Sequence, residues 1–359
     1  MRFSTRQLRA LMLPAATATT LAALAAAPAW AQGVERFQVT GDRVAVYNLA
    51  GVATLEPGTG SAVVIELRRG GKDAARLKVE QGPIDGVATL RVVYPDDRVV
   101  YAPANGTWRG SSNTSVQDDG TFGGRGRGGR DVQIRASGSG MEAWGDLHIA
   151  VPRGQRLDLH LVVGEMKVTN VNGTLFLDGG ATNATTTGTT GSLSVDVGSG
   201  NVRVKNATGD LKVDTGSGDV SIAGAGNGDV WVDTGSGNVS LGQVGAGTVR
   251  LDTGSGTVDG IQITAGNVSV DTGSGDVTLS FDGTPKDVAV DAGSATVALT
   301  FPSSYSAAVD LETSSGNLTV DFPLRVNLSQ RGRVTGAIGS GVARLHVDTG
   351  SGDIQIKQR

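Results

Sequence analysis

The string Asp-Thr-Gly-Ser-Gly occurs five times in this chain of 359 residues, and its spacing constrains the fold more than any other feature. The copies begin at Asp214, Asp233, Asp252, Asp271 and Asp348, and the first four lie 19 residues apart. A constant period near 20 residues is typical of one supersecondary unit that stacks on itself. The sequence therefore predicts a repeat architecture, and the repeated string is first of all a structural element.

The acidic position of the string also recurs outside the five full copies. It recurs at steps of 18 to 21 residues, at Asp178, Asp196, Asp214, Asp233, Asp252, Asp271, Asp291 and Glu312. His160 lies one period before Asp178, which places a degenerate first unit near Val151. We therefore expect about ten units between that position and the C-terminus.

Each unit has the pattern of two short strands. In residues 211–214 Leu and Val alternate with Lys and Asp, a Thr-Gly-Ser-Gly turn follows, and residues 220–222 alternate again. The few inward aliphatic side chains of one unit cannot offset the entropy of ordering its backbone, so the units must stack. The prediction is an all-β fold: a β-solenoid of about ten rungs of 18–21 residues with two short strands each, preceded by a small β-rich N-terminal region. The competing architecture is a β-sandwich, but near-identical turns at constant spacing favour the solenoid.

The N-terminus has the pattern of an export signal. In residues 1–31 three arginines precede an apolar run, and Ala29-Trp30-Ala31 forms a small-residue cleavage site. Without this segment 28 basic residues face 35 acidic ones, a net charge of 28 − 35 = −7, which argues against nucleic acid as a partner. The chain has no cysteine for a disulfide or a lipid anchor and no later apolar run of membrane-spanning length. We expect a periplasmic or extracellular protein without a transmembrane segment in the mature chain.

The remaining boundaries follow from composition. Residues 32–122 contain strand patterns without the Gly-Ser turn, and we interpret them as a β-rich region or cap that covers an open end of the stack. Residues 123–130 form a Gly/Arg-rich linker, and residues 131–359 are the repeat domain. The last strand ends in Lys357 and Arg359, charges that suit an exposed sheet edge.

The repeated string also resembles a catalytic motif. Pepsin-like aspartic proteases use Asp-Thr-Gly-Ser, but they need two converging copies in two lobes, whereas rung spacing places these copies side by side. In the structural interpretation the aspartate accepts backbone N–H bonds in an Asx-type turn and the glycines permit positive φ. We therefore assign no catalytic residue and no cofactor-binding residue.

Stacked aspartates would repel each other by about 1 kcal/mol per pair in water. Hydrogen bonds from the turn are expected to relieve this repulsion, and calcium between the rungs is the alternative. The calcium candidates are Asp214, Asp219, Asp233, Asp252, Asp271 and Asp276. A remote alternative is a polysaccharide-active β-helix enzyme, for which Arg203, Lys205 and Lys212 beside Asp196 and Asp214 are the candidates. Trp231 is the one candidate for an aromatic binding face.

The sequence Val-Asp-Thr-Gly-Ser-Gly-Asp-Val at 213–220, with related copies at 195, 232, 251, 270, 290 and 347, resembles the bacterial putative-adhesin family, a domain of unknown function with β-strand repeats. The resemblance covers roughly residues 150–359 and implies a β-solenoid-like fold, a role in surface adhesion and no catalytic residues. We expect an exported, non-enzymatic scaffold, adhesin-like or structural, whose polar repetitive face contacts a surface protein or glycan. The alternative is a calcium-dependent or carbohydrate-binding module.

Overall fold

The computed structural model describes residues 33–103, 106, 108–123 and 129–359. The predicted signal peptide and the central part of the Gly/Arg-rich segment lie outside the described residues. Within the described chain, Val34–Arg359 form one compact unit. None of its helices is long and apolar enough to cross a membrane, because the helical content described is a single 3₁₀ turn at Ala74–Arg76.

Strands account for the rest of the regular structure. The N-terminal strands are β1 (Val34–Val39), β2 (Arg43–Pro57), β3 (Val63–Gly70), β4 (Lys78–Ile84), β5 (Val87–Val93), β6 (Arg98–Val100), β7 (Ser111–Val116), β8 (Arg130–Arg135), β9 (Met141–Glu142) and β10 (Trp144–Val151). The central strands are β11 (Gln155–Thr169), β12 (Gly173–Thr187), β13 (Leu193–Val197), β14 (Val202–Lys205), β15 (Leu211–Thr215), β16 (Val220–Ala223), β17 (Val230–Thr234), β18 (Val239–Val244), β19 (Thr248–Thr253), β20 (Val258–Ile263), β21 (Asn267–Thr272), β22 (Val277–Phe281), β23 (Asp287–Ala292) and β24 (Val297–Phe301). The C-terminal strands are β25 (Ala307–Ser315), β26 (Leu318–Val320), β27 (Leu324–Gln330), β28 (Arg333–Ile338), β29 (Ala343–Ser351) and β30 (Ile354–Gln358).

The predicted solenoid is confirmed. In the repeat region the first strand of each rung pairs in parallel with the first strand of the next, and the second strands do the same. Val213, for example, pairs with Val195 on one side and with Val232 on the other. Residues 155–358 supply ten such rungs in the described chain, which matches the number expected from the period.

The core is a continuous column of aliphatic side chains. Val213, Val232, Leu251 and Val270 follow one another along the first strands and are all buried. They point inward because side chains alternate between the two faces of a strand, so the acidic residue that follows each of them points outward. The core is shared by all rungs, because each aliphatic residue packs between its equivalents on the two neighbouring rungs.

An eleventh level comes from the N-terminal region. β2 pairs in parallel with β11 and continues the stack, although about a hundred residues separate the two strands in sequence. The N-terminal half of β2 pairs with β5, which pairs with β4. The C-terminal half of β2 pairs with β10, and β3 and β1 follow β10 in the sheet. These strands cover the edge that β11 would otherwise expose, which supports the capping role that we propose for residues 32–122.

The stack does not follow chain order at its C-terminal end. β29 lies between β23 and β25, and β30 lies between β24 and β26, so the last segment of the chain is inserted between two earlier rungs. Asp291 is therefore followed in space by Asp348 and then by Glu312. Two expectations are wrong here: Glu312 does not follow Asp291 directly, and the final strand is not the last of the stack, because Ile354–Ile356 pair on both sides.

Candidate functional site

A row of carboxylates runs along the outer face of the first strands. We call it the carboxylate ladder, and its members in spatial order are Asp178, Asp196, Asp214, Asp233, Asp252, Asp271, Asp291, Asp348 and Glu312. Each pairs in register with the next, so nine consecutive rungs carry an acid at the same point. Neighbouring parallel strands lie about 4.8 Å apart, which sets the spacing of these charges.

The side chain of the aspartate in the repeated string does not accept a hydrogen bond from the turn that follows it. Among the described residues, no hydrogen bond or ion pair engages the side chains of Asp214, Asp233, Asp252 or Asp271. The expected Asx-type turn is therefore wrong, because the outward direction of a strand residue carries the carboxylate away from the turn amides.

The acceptor role belongs instead to the position five residues later, immediately before the second strand. Asp219 Oδ1 accepts from the backbone N–H of Asn238 at 3.1 Å, and Asn238 Oδ1 accepts from that of Thr257 at 3.1 Å. Asp276 does the same for Thr296 at 2.8 Å. These side chains bond one rung to the next, so they hold the stack together at the edge of the turn.

Burial and the neighbouring like charges raise the pKa of two carboxyl groups of the ladder. Burial, followed by repulsion from Asp233 and Asp271, raises the pKa of the Asp252 carboxyl, and Arg250 opposes the rise. Burial also raises the pKa of Asp196, with Asp214 and Asp178 adding to it and Lys212 opposing it. Asp252 and Asp196 thus bind protons more readily than isolated aspartates do.

At each end of the ladder, the terminal carboxylate contacts a nitrogen-containing side chain. At the first end His160 Nδ1 lies 2.7 Å from Asp178 Oδ2, and His160 occupies the ladder position of the preceding rung. At the other end an Arg333 guanidinium nitrogen lies 3.2 Å from a Glu312 carboxylate oxygen. The row of acids therefore ends on one side at an imidazole and on the other side at a guanidinium, while the carboxylates in its middle face solvent.

The column two residues before the ladder contains its nearest cations. Lys212 and Arg250 flank Trp231 on adjacent rungs, and Lys212 Nζ lies 4.0 Å from the centre of the Trp231 ring. This cation–π contact occupies one face of the half-buried ring. Trp231 as a binding face stays a prediction, with only its other surface left for a partner.

The remaining predicted groups are not gathered into one site. Arg203 and Lys205 lie on the second strand β14, so of the three basic candidates only Lys212 acts on the ladder. The six calcium candidates divide between the ladder and the inter-rung acceptors such as Asp219. Within the described ranges no three His, Cys, Asp or Glu side chains form a group that could hold a metal ion. Calcium binding stays a prediction.

A cavity of about 480 Å³ at the histidine end was not foreseen. Tyr47 stacks on His160 with 4.2 Å between ring centres, and Phe122 meets Tyr47 edge-on at 5.5 Å. Burial, with the charges of Asp158, Asp119 and Asp178, raises the pKa of Tyr47. The lining comes from distant stretches of the chain, at residues 43–47, 84–89, 117–123 and 158–160 and at Phe176, and β2 joins two of these stretches to its own by pairing with β11 and with β5.

Two carboxylates of this cavity already have partners. Asp158 accepts from Arg43 at 2.6 Å, and Asp119 Oδ1 accepts from the backbone N–H and the hydroxyl of Thr121. The loop that follows β7 also brings Gly123 against the His160–Asp178 pair. A Cβ atom added at Gly123 would lie 2.6 Å from Asp178 Oδ2. We interpret this cluster as the closure of the ladder.

Comparison with known proteins places these features in a family. The family described as Toastrack DUF4097 matches residues 145–357, more than half of the chain. No curated protein matches the chain. Two of the solved structures that are similar to it are described as adhesion proteins. A putative cell adhesion protein from Clostridium sporogenes is 11% identical, covers 91% of this chain and 99% of its own, and has a TM-score of 0.22. A putative adhesin from Bacteroides fragilis is 13% identical, covers 90% and 95%, and has a TM-score of 0.32.

Proposed function

The chain belongs to the Toastrack DUF4097 family of β-strand repeat domains, as the resemblance of its repeats predicted, and from this premise we propose that it is an exported, non-enzymatic, adhesin-like scaffold. Its working surface is the ladder face, which we define as the carboxylate ladder together with the adjacent column that contains Lys212, Trp231 and Arg250. The partner is a protein or glycan of the cell surface, held outside the cytoplasm.

The observation that carries the proposal is the constancy of the outward chemistry over nine rungs. A catalytic site needs unlike groups that converge on one reacting atom. On the ladder face the nearest neighbours of an aspartate are other aspartates at a fixed spacing. Such a surface offers the same weak contact many times, and repeated weak contacts give a multivalent partner high overall avidity without a deep pocket.

The backbone supports this role as well. Every rung in the middle of the stack is hydrogen-bonded on both sides, so the ladder face is held in a fixed geometry before any partner arrives. A preorganised surface loses little conformational entropy on binding. Adhesion along a rigid face is therefore favoured over a mechanism that requires closure.

The test uses the mature chain immobilised on a sensor. The probes are fractionated cell-envelope polysaccharides and a panel of extracellular-matrix proteins. The variant Asp233→Asn/Asp252→Asn removes two ladder charges, and Asp259→Asn/Asp321→Asn removes two exposed charges elsewhere. We expect at least one probe to bind wild type and control alike and to bind the ladder variant more weakly. Equal binding by both double variants, binding of no probe, or hydrolysis of a probe would contradict the proposal.

A further inference from the structure

A shallow groove crosses the corners of five successive rungs, away from the ladder. Its volume is about 560 Å³, and it receives the side chains of Asn206, Asn227, Gln243 and Gln262. We call it the amide groove after these four residues. Its floor is made of small residues, and parallel bridges from Thr208 through Gly226 to Gly245 join the corners beneath it.

The four amide residues occupy an unfavourable backbone conformation. Their φ angles lie between +53° and +58°, the left-handed region that non-glycine residues seldom adopt. Asparagine tolerates this region, but glutamine has no such preference. Gly224 holds the equivalent corner of a neighbouring rung at φ +76°, so glycine satisfies the turn there. The glutamines at 243 and 262 thus add strain that a glycine would avoid, and strain of this kind concentrates at ligand-binding sites.

The two glutamine side chains make no hydrogen bond within the described part of the chain that would offset this strain. Gln243 and Gln262 are exposed, and neither amide makes a side-chain hydrogen bond to the described part of the chain. They lie on adjacent rungs, so their backbones are one strand spacing apart, at about 4.8 Å. Each offers N–H donors and a carbonyl acceptor to the solvent.

The regularity of the stack is broken at the same place. Between Gly260 and Ile263 the register of β20 against β22 shifts, so that two residues of β20 stand against one of β22. Bulges of this type redirect side chains and are frequent next to binding sites. Here the bulge exposes Ile261, 61% accessible and directly before Gln262 in sequence. An apolar side chain thus stands beside the row of amides.

The chemistry of the groove selects a ligand class. Primary amides donate and accept hydrogen bonds, which complements hydroxyl groups that do both. The one charged lining residue is an acid, Asp282, and Arg359 donates to it at 2.7 Å. The lining itself therefore contains no cation that would bind an anionic polymer. An exposed aliphatic side chain suits the apolar face of a sugar ring. A polymer of repeating units also matches a groove whose lining repeats from rung to rung.

We propose that the amide groove binds a neutral glycan chain. Gln243 and Gln262 hydrogen-bond the hydroxyls of successive sugar units, and Ile261 packs against a ring. This goes beyond the proposed function, because it uses a separate surface and does not need the carboxylate ladder.

Glycine substitution provides a clean test. Gln243→Gly/Gln262→Gly removes both amides and relieves the positive φ, so the fold is expected to be at least as stable, as thermal unfolding will show. The matched control is Asn170→Gly, which makes the same change at φ +55° outside the groove. The probes are an array of neutral glucan, mannan and galactan oligosaccharides, with acidic oligosaccharides for comparison.

We expect a neutral oligosaccharide to bind wild type and Asn170→Gly equally, and the double glycine variant about tenfold or more weakly. Ile261→Ser should also weaken it. Asp233→Asn/Asp252→Asn should bind it as wild type does, which separates this proposal from the ladder-face contact. Binding of acidic oligosaccharides alone, of no oligosaccharide, or equally by the double glycine variant would overturn the proposal.

Discussion

At the scale of single residues, the acceptor role that the sequence suggested for the aspartate of the repeated string belongs to the residue five positions later. Alternation correctly placed Asp233 on the outside of its strand. It could not show which polar residue meets a backbone amide, because that depends on which side chain stands at the edge of the turn, as Asp219 and Asn238 do. At Asp252, whose pKa is raised, the outward carboxylate is therefore an electrostatic cost to the fold at neutral pH.

This cost predicts an unusual pH dependence. The pKa of Asp252 is raised in the folded protein, so the folded state binds the proton more tightly than the unfolded chain. Stability from this group is then greatest below the ordinary aspartate pKa of about 3.9 and falls as the pH rises through that value to the raised folded pKa. Asp252→Asn should stabilise the protein at pH 7 by about 0.5 kcal/mol, the scale of an exposed charge pair, and should have no effect at pH 3.

Thermal unfolding of Asp252→Asn and wild type at both pH values measures this difference. Asp259→Asn is the control, since Asp259 is exposed but lies on the second strand outside the ladder. A gain at pH 7 that Asp259→Asn reproduces would show that net charge, rather than the ladder, is responsible.

At the scale of strands and rungs, the period of the sequence predicted each two-stranded unit but not its place in the stack. The copies of the string are identical, so the string itself does not distinguish which neighbours the rung that contains Asp348 will have. Chain order placed Glu312 after Asp291, whereas the structure inserts β29 between them. Only long-range packing decides between these arrangements, and a 19-residue period contains no information about it.

Engineered cysteines can test the inserted rung directly, because the chain has none of its own. A disulfide needs Cα atoms about 4.4 to 6.8 Å apart, which adjacent rungs satisfy and rungs two levels apart, at about 10 Å, do not. Asp291→Cys with Asp348→Cys should therefore cross-link on mild oxidation, and Asp291→Cys with Glu312→Cys should not. Peptide mapping by mass spectrometry identifies the linked pair, and the opposite pattern would restore chain order.

At the scale of the whole described unit, the N-terminal region is the part that the sequence predicted least. The strand pattern of residues 43–57 was visible, but its pairing with β11 was not, since no repeated string marks either strand. The cavity around Tyr47 and His160 was missed for the same reason. Its residues become neighbours only when β2 occupies the level before β11.

Removal of the N-terminal region should expose a sheet edge. A chain beginning at residue 131 keeps β11 but loses β2, so the backbone groups of β11 on that side are unpaired. Free edges pair with other chains, and we expect this variant to form oligomers or aggregates in size-exclusion chromatography. A second truncation, beginning at Val34, keeps β2 and should elute as the mature chain does. A monomeric, fully folded product from residue 131 would contradict the capping role.

The inserted C-terminal rung also sets an order in time. A chain that emerges from its N-terminus can add rungs one by one as far as Phe301, but the next segment, β25 and β26, must wait for residues 343–358 before it joins the growing stack. Completion of this part of the fold thus depends on residues 343–358. A chain cut short before residue 343 would lack the rung that links β24 to β26, and it would present open edges to any protease that surveys unfinished proteins.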